Sequence, residues 1–307
     1  MSEGNKIKHK KLTQKANGLS PNGKALDSDS SIVKVRILLA QFNARHFIKG
    51  NFSEMSVFFY KNIRVKIKEG IRMFKMQRPV TFSEVGPGFV TDMAQVINYF
   101  QDCSCAQSDS LGVGPESLDA DGTVWILNSW QVVVDRYPKY GEKITVGTWA
   151  YDFTGLLGLR NYVIDDAEGN RIVRADSVWA MIDLKSGKLA RISKEQIDAY
   201  EVEEKEPMDY AGRKIRYKKE NFDTVGRVRV TRACLDTNMH MNNGRYVAIA
   251  MEYLPENFKI RQMRAEYKKP AFYNEELILK RQVDGDKITI LLENTEGEIC
   301  VITEFME

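Results

Sequence analysis

The chain has 307 residues, 43% of them hydrophobic, so it is long enough to hold two modest domains with a real core. No apolar run approaches the roughly 18 to 20 residues of a membrane-spanning helix, and the first residues lack the apolar stretch of a secretory signal. These features argue against membrane insertion and predict a cytoplasmic protein.

The net charge of +3 is unevenly distributed along the chain. Up to Arg72 there are 15 Lys or Arg against 5 Asp or Glu, and the rest of the chain has 30 against 37. A nucleic-acid-binding protein carries its positive charge on the folded part. The acidic balance after Arg72 therefore predicts no binding of nucleic acid.

Residues 1–72 form a basic segment whose composition is typical of poorly ordered chain. Two interpretations remain open for it. The segment is a flexible tail, or it is a mis-annotated start, because Glu69-Gly70 is encoded by GAR-GGN just before Met73. That codon pair resembles a bacterial ribosome-binding sequence.

From Met73 onward, the chain contains two copies of one pattern. A Val-Thr pair, at 80–81 and again at 230–231, precedes three matched positions at an ungapped offset of 150 residues. The matched positions are Gly86, Gly88 and Val90 in the first copy and Asp236, Asn238 and His240 in the second.

Each copy continues into a segment with helical spacing of apolar residues, at 93–101 and 244–253, and then into short strands joined by tight turns. The strands are expected at 144–149, 158–165 and 176–184 in the first copy, and at 277–283 and 287–293 in the second. One helix followed by a meander of antiparallel strands is an α+β unit whose sheet can wrap the helix.

We therefore predict a first repeat at 73–192 and a second repeat at 221–307. Residues 193–220 between them are dense in charge and predict a solvent-exposed linker. The helical part of this linker is expected to begin at Ser193, with Glu195 and Gln196 in its first turn.

Asp236, Asn238 and His240 place a carboxylate, a carboxamide and an imidazole within five residues, just before a helix start. Backbone N–H groups near Asn243 and Gly244 can polarise a carbonyl oxygen, while Asp236 or His240 handles a proton on water. These are the requirements for hydrolysing a thioester. The matched positions of the first copy have no acid-base group, so only the second copy can be catalytic.

The four cysteines fit neither a disulfide framework nor a zinc site, since Cys103 and Cys105 are separated by a single residue. We interpret them as reduced thiols. No cofactor and no metal ion are expected.

Several separated motifs resemble, in the right order, those of the acyl-acyl-carrier-protein thioesterase family. They are Asn98-Tyr99-Phe100-Gln101-Asp102-Cys103-Ser104, Ser129-Trp130-Gln131, Arg136-Tyr137-Pro138, Gly147-Thr148-Trp149 and the stretch 236–246. The resemblance implies a tandem (double) hot-dog fold, in which each repeat is a long helix wrapped by an antiparallel β-sheet. It also implies release of free fatty acids from acyl-carrier protein, an acyl pocket mainly in the first repeat, and Asp236, Asn238 and His240 as active-site residues.

The chain departs from that resemblance at one position. Plant members have Glu-Cys after a Leu-Glu-Tyr-Arg-Arg-like strand, whereas here Glu266-Tyr267-Lys268-Lys269 is followed by Pro270-Ala271. A cysteine nucleophile is therefore disfavoured, and direct attack by water is the more economical mechanism.

Two other functions stay open from the sequence: hydrolysis of acyl-coenzyme A, and non-catalytic sensing of acyl thioesters by a regulator. An enoyl-thioester hydratase is disfavoured, because the spacing before His240 is one residue shorter than in the hydratase motif. A homodimer is an open alternative to a monomer. Because acyl-carrier protein is acidic, a basic docking surface is expected among the following residues: Arg213, Lys214, Arg216, Lys218, Lys219, Arg261, Arg264, Lys268 and Lys269.

Overall fold

The computed structural model describes residues 73–218 and 220–307. The predictions for residues 1–72 lie outside the described residues. No helix in the part of the chain that is described is long and apolar enough to cross a membrane.

The described chain has four α-helices and eleven β-strands. The helices are α1 (Met93–Ser110), α2 (Pro115–Ala120), α3 (Lys194–Ala199) and α4 (Asn243–Met251). The strands of the first repeat are β1 (Phe74–Pro79), β2 (Thr123–Val134), β3 (Lys143–Thr154), β4 (Leu157–Asp165), β5 (Arg171–Asp183) and β6 (Lys188–Leu189). Those of the second are β7 (Asp223–Arg229), β8 (Gln262–Tyr267), β9 (Glu276–Asp284), β10 (Lys287–Asn294) and β11 (Ile299–Met306).

All strands join one antiparallel sheet, in the order β1-β3-β4-β5-β2-β8-β11-β10-β9-β7, with the short β6 beside β5. The second half of this order repeats the first half in reverse, because β7 to β11 take the places of β1, β2, β3, β4 and β5. The two halves meet where β2 pairs with β8, from Ser129 opposite Glu266 to Val133 opposite Gln262. The predicted repeat is therefore visible in the strand order.

The two main helices begin where the sequence predicts. The Asp92 carboxylate accepts from the Gln95 N–H at the start of α1, and the Asn242 side chain accepts from the Gly244 N–H at the start of α4. Helix α1 has 18 residues and runs well beyond the predicted 93–101, whereas α4 has only 9. Their apolar faces share a single core with the sheet, and Val96, Phe100 and Val247 are fully buried in it.

Most charged residues of the linker between the repeats are exposed, and a few contacts anchor this segment to the sheet. Its helix does begin after Ser193, whose hydroxyl accepts from the Gln196 N–H at 3.1 Å. Beyond that helix, the chain lies against the sheet: the Glu206 N–H donates to the Asn161 side chain, and the Ala211 N–H donates to the Gln131 side chain. Side chains of β4 and β2 therefore anchor parts of the linker, and Glu206 is buried there.

Candidate active site

The loop with the three predicted residues runs from a short 3-10 turn, Arg232–Cys234, to the start of α4. The Asp236 N–H donates to the His240 carbonyl at 2.8 Å, and the Met239 N–H donates to the Asp236 carbonyl at 3.1 Å. Met239 adopts a left-handed φ of 62°, which closes the turn. The backbones of Asp236 and His240 are thus held together.

The first repeat builds the same loop from different residues. The Gly86 N–H donates to the Val90 carbonyl at 2.9 Å, the Phe89 N–H donates to the Gly86 carbonyl at 3.1 Å, and Phe89 has a φ of 57°. These contacts match those of the second repeat at the offset of 150 residues. The loop therefore forms with glycine and valine in place of Asp236 and His240, and the turn itself calls for neither an acid nor an imidazole.

The side chains of the loop keep most of their reactive atoms available. One oxygen of Asp236, Oδ1, accepts from the N–H groups of Asn238 at 2.8 Å and His240 at 3.2 Å. The other Asp236 oxygen and the His240 ring nitrogens have no hydrogen-bond partner among the described residues. Asn238 is exposed, and the half-buried His240 ring packs edge-on against Phe272, with 5.0 Å between centroids. The three side chains share one loop without bonding to one another.

One of the backbone N–H groups at the start of α4, next to this loop, already has a hydrogen-bond partner. Because the Gly244 N–H already donates to Asn242 Oδ1 at 2.9 Å, it is not free to polarise a substrate carbonyl as expected. The Asn243 N–H, in the first turn of α4, has no such partner among residues 73–218 and 220–307. Asn242 acts as the helix cap.

Asn98 of α1 reaches this helix start from the other repeat, and the sequence interpretation assigned it no role. A Cβ atom on Gly244 would lie only 2.7 Å from Asn98 Oδ1, so the two residues are in close contact. The half-buried Asn98 side chain has no hydrogen-bond partner within the described ranges. No local pattern in the sequence pointed to Asn98, because it meets Gly244 only when the two helices pack together.

Two tyrosines, the buried Tyr246 and the half-buried Tyr267, contact the backbone around the helix start. The Tyr267 hydroxyl donates to the Asn243 carbonyl at 3.0 Å, and the Tyr246 hydroxyl accepts from the Ala271 N–H at 2.8 Å. Burial raises the pKa of both phenols, so both remain protonated at neutral pH. They hold the backbone around the loop and do not supply a base.

Burial disfavours the thiolate form of three of the four cysteines. All four are free, and burial raises the pKa of Cys103 to about 12 and those of Cys105 and Cys300 to about 11. Ala271, at the cysteine position of the plant pattern, is fully buried. Cys234 lies in the 3-10 turn, where its sulfur is 3.3 Å from the Thr231 hydroxyl.

Family models match most of the described chain. The acyl-ACP thioesterase N-terminal domain matches residues 72–200, and the C-terminal domain of the same family matches residues 217–304. A chloroplastic acyl-[acyl-carrier-protein] hydrolase of Cuphea viscosissima is 27% identical over 203 residues, which are 62% of this chain and 48% of that protein. A palmitoyl-acyl carrier protein thioesterase of Arabidopsis thaliana is 27% identical over 221 residues, which are 66% and 53% of the two chains. The chain thus spans about half the length of these relatives.

Solved structures share the fold. An acyl-ACP thioesterase of Bacteroides thetaiotaomicron superposes with a TM-score of 0.71 and 22% identity, over 76% of this chain and 97% of that one. A 12:0-ACP thioesterase of Umbellularia californica gives a TM-score of 0.70 and 20% identity, over 77% and 97%. The α+β, tandem hot-dog architecture expected from the sequence is confirmed, with a shorter second helix.

Proposed function

Because the chain belongs to the acyl-ACP thioesterase family, we propose that it hydrolyses fatty acyl thioesters of acyl-carrier protein to the free fatty acid and the carrier thiol. Asp236, Asn238 and His240 are the proposed active-site residues. The acyl chain is proposed to lie mainly in the first repeat.

One observation carries the assignment of these residues. The two repeats close the same loop with the same backbone hydrogen bonds, yet only the second has side chains that can move a proton. Since the first repeat closes the same backbone turn with Gly86 and Val90, the turn itself calls for neither an acid nor an imidazole. Within the loop Asp236 uses only its Oδ1 oxygen, and its other oxygen and the His240 ring nitrogens have no partner among the described residues, so these atoms are candidates for chemistry.

The proposed reaction is direct attack by water on the thioester carbonyl. His240 or the free oxygen of Asp236 takes the proton of the attacking water, the carbon–sulfur bond breaks, and the same proton returns to the departing sulfur. The thioester oxygen is stabilised by the Asn243 N–H and by the carboxamide of Asn98, which can turn its NH₂ group toward it. Asn238 binds the substrate beside them. No thiol is required.

Two unpaired cations beside the loop favour an acidic carrier. Arg245 is exposed on the first turn of α4, and the Arg232 guanidinium lies over the Tyr273 ring at 5.3 Å. Neither forms an ion pair within the described part of the chain. Arg232 and Arg245 are better candidates for binding acyl-carrier protein than some of the basic residues proposed from the sequence. Among those, Arg264 is already paired with Glu304, and Lys268 is paired with Glu266.

The test is release of free thiol from matched acyl-carrier-protein and coenzyme A thioesters of several chain lengths. We expect turnover of the carrier-protein substrates with a higher kcat/KM than their coenzyme A counterparts. Equal kcat/KM values for both carriers would favour an acyl-coenzyme A hydrolase. Binding without any thiol release would favour a non-catalytic sensor.

A further inference from the structure

The imidazole of His240 has no hydrogen bond to fix its orientation, because neither ring nitrogen has a partner within the described ranges. It does contact one other ring. The Phe272 ring lies 5.0 Å away between centroids, with an angle of 84° between the two ring planes. An edge-to-face pair of this kind is a favourable arrangement of two aromatic rings, so the contact restricts rotation of the imidazole.

The backbone brings these two residues together. His240 and Phe272 form an antiparallel bridge, and the neighbouring Met241 N–H donates to the Ala271 carbonyl at 2.9 Å. The Phe272 N–H donates to the Glu275 carboxylate at 3.1 Å, and the Glu275 N–H donates to the Phe272 carbonyl at 3.1 Å. The Phe272 side chain therefore starts from a fixed point opposite His240.

The first repeat has the same backbone arrangement with a different pair of side chains. Val90 forms the equivalent bridge with Lys139, and the Lys139 N–H donates to the Glu142 carboxylate at 2.9 Å. The turn therefore forms with lysine at this position and does not itself call for an aromatic ring. Of the two repeats, only the one with the imidazole places a phenyl ring against its loop.

Packing in a core does not account for this phenyl ring. Phe272 is 45% exposed and belongs to none of the hydrophobic cores that the described residues form. Single exposed apolar side chains are common on protein surfaces, so exposure alone indicates no role. The contact with an imidazole that nothing else orients does indicate one.

We infer that Phe272 is a positioning residue, whose ring holds the His240 imidazole in the orientation in which it acts on the attacking water. The inference rests on the proposed hydrolysis. A histidine side chain that rotates freely has three staggered wells at χ1 and roughly two orientations at χ2, about six in all. Without the phenyl ring the reactive orientation should be populated several-fold less, and kcat should fall by a similar factor.

Thiol release from an acyl-carrier-protein thioester tests this role. Phe272→Leu should lower kcat about three- to tenfold with little change in KM, and Phe272→Tyr, which keeps the ring, should retain most of the rate. Phe272→Leu should lower kcat no further when it is added to His240→Ala, because the phenyl ring acts through the imidazole. Lys139→Leu introduces the same residue at the matched position of the first repeat and should leave kcat unchanged.

A second measurement does not depend on hydrolysis. In the full chain with isotope-labelled histidine, the NMR signals of the His240 imidazole are those that disappear in His240→Ala, since the only other histidines are His9 and His46. The ring current of Phe272 shifts these signals. Phe272→Leu should move them toward the values of a histidine in a short peptide, whereas Phe272→Tyr should not.

Three results would overturn the inference: undiminished kcat in Phe272→Leu, imidazole signals that do not move in that variant, and a raised KM with unchanged kcat, which would make Phe272 a substrate-binding residue. Thermal melting checks the fold of each variant. Absence of thiol release by the unaltered chain would instead count against the proposed hydrolysis, and the NMR comparison would still decide whether Phe272 holds the imidazole.

Discussion

Gly244→Ala should disturb the contact between Asn98 and Gly244 while it leaves the stability of the fold nearly unchanged. The new Cβ would lie 2.7 Å from Asn98 Oδ1, 3.4 Å from Asn242 Oδ1 and 3.6 Å from the Ala94 carbonyl. Only the first contact is too short, and it involves the end of a flexible side chain, so Asn98 must turn away. A side chain that is pushed about 30° off its rotamer costs about 0.5–1.5 kcal/mol, and alanine regains about 0.5–1 kcal/mol over glycine in a helix. The free energy of unfolding should therefore change by less than about 1 kcal/mol.

The catalytic rate should respond much more strongly than stability. If Asn98 stabilises the thioester oxygen, its displacement should lower kcat about 10²- to 10³-fold with little change in KM. Asn98→Ala should cause a similar loss, and the double variant should be no worse than Asn98→Ala. Ala94→Gly, at the counterpart position in α1, is the matched control and should lower stability but not kcat. Normal thiol release by Gly244→Ala, or additive losses in the double variant, would refute the role of Asn98.

Three further predictions concern the nucleophile, the carrier and pH. Replacing each cysteine singly with Ser or Ala should leave turnover largely intact, and abolition of thiol release by Cys234→Ser in a folded protein would revive a covalent route. Arg232→Glu/Arg245→Glu should raise KM for carrier-protein substrates and reduce their salt sensitivity; an equal rise for coenzyme A thioesters would count against docking. Burial raises the pKa of Asp176 from 3.8 to about 6, so its contribution to stability is present below pH 3.8 and is lost as pH rises through 6. Asp176→Asn should therefore raise the melting temperature at pH 7 to 8, where the free energy of unfolding should increase by up to about 3 kcal/mol, and should change it little near pH 3.5. An equal effect at both pH values would contradict burial of the carboxylate as the cause.

The repeat and the helix starts could be predicted because they depend on local patterns. The offset between Gly86 and Asp236 survives in the structure as matched backbone hydrogen bonds, and Asn242 caps its helix as its residue type suggests. A turn and a helix cap each depend only on residues that are close together in the sequence.

The features that were missed depend on contacts between distant segments. Strand β2 was not predicted, because it joins the two halves of the sheet and most of its second half is buried on both faces, which removes the alternation of a half-exposed strand. The burial of Glu206 depends on Asn161, 45 residues away in the chain. Asn98 gains its position only when α1 meets Gly244, a contact that no local pattern shows.

The most direct test of the central claim is the rate of thiol release by Asp236→Asn and His240→Ala with an acyl-carrier-protein thioester. Asparagine keeps the Oδ1 acceptor that receives the N–H groups of Asn238 and His240, so the loop should remain closed while the charge is lost. Val90→Ala, at the counterpart of His240, is the matched control and should remain active. We expect kcat to fall about 10²- to 10⁴-fold in both variants with little change in KM. Near-normal turnover in both, with the fold verified by circular dichroism, would contradict the assignment of the active site.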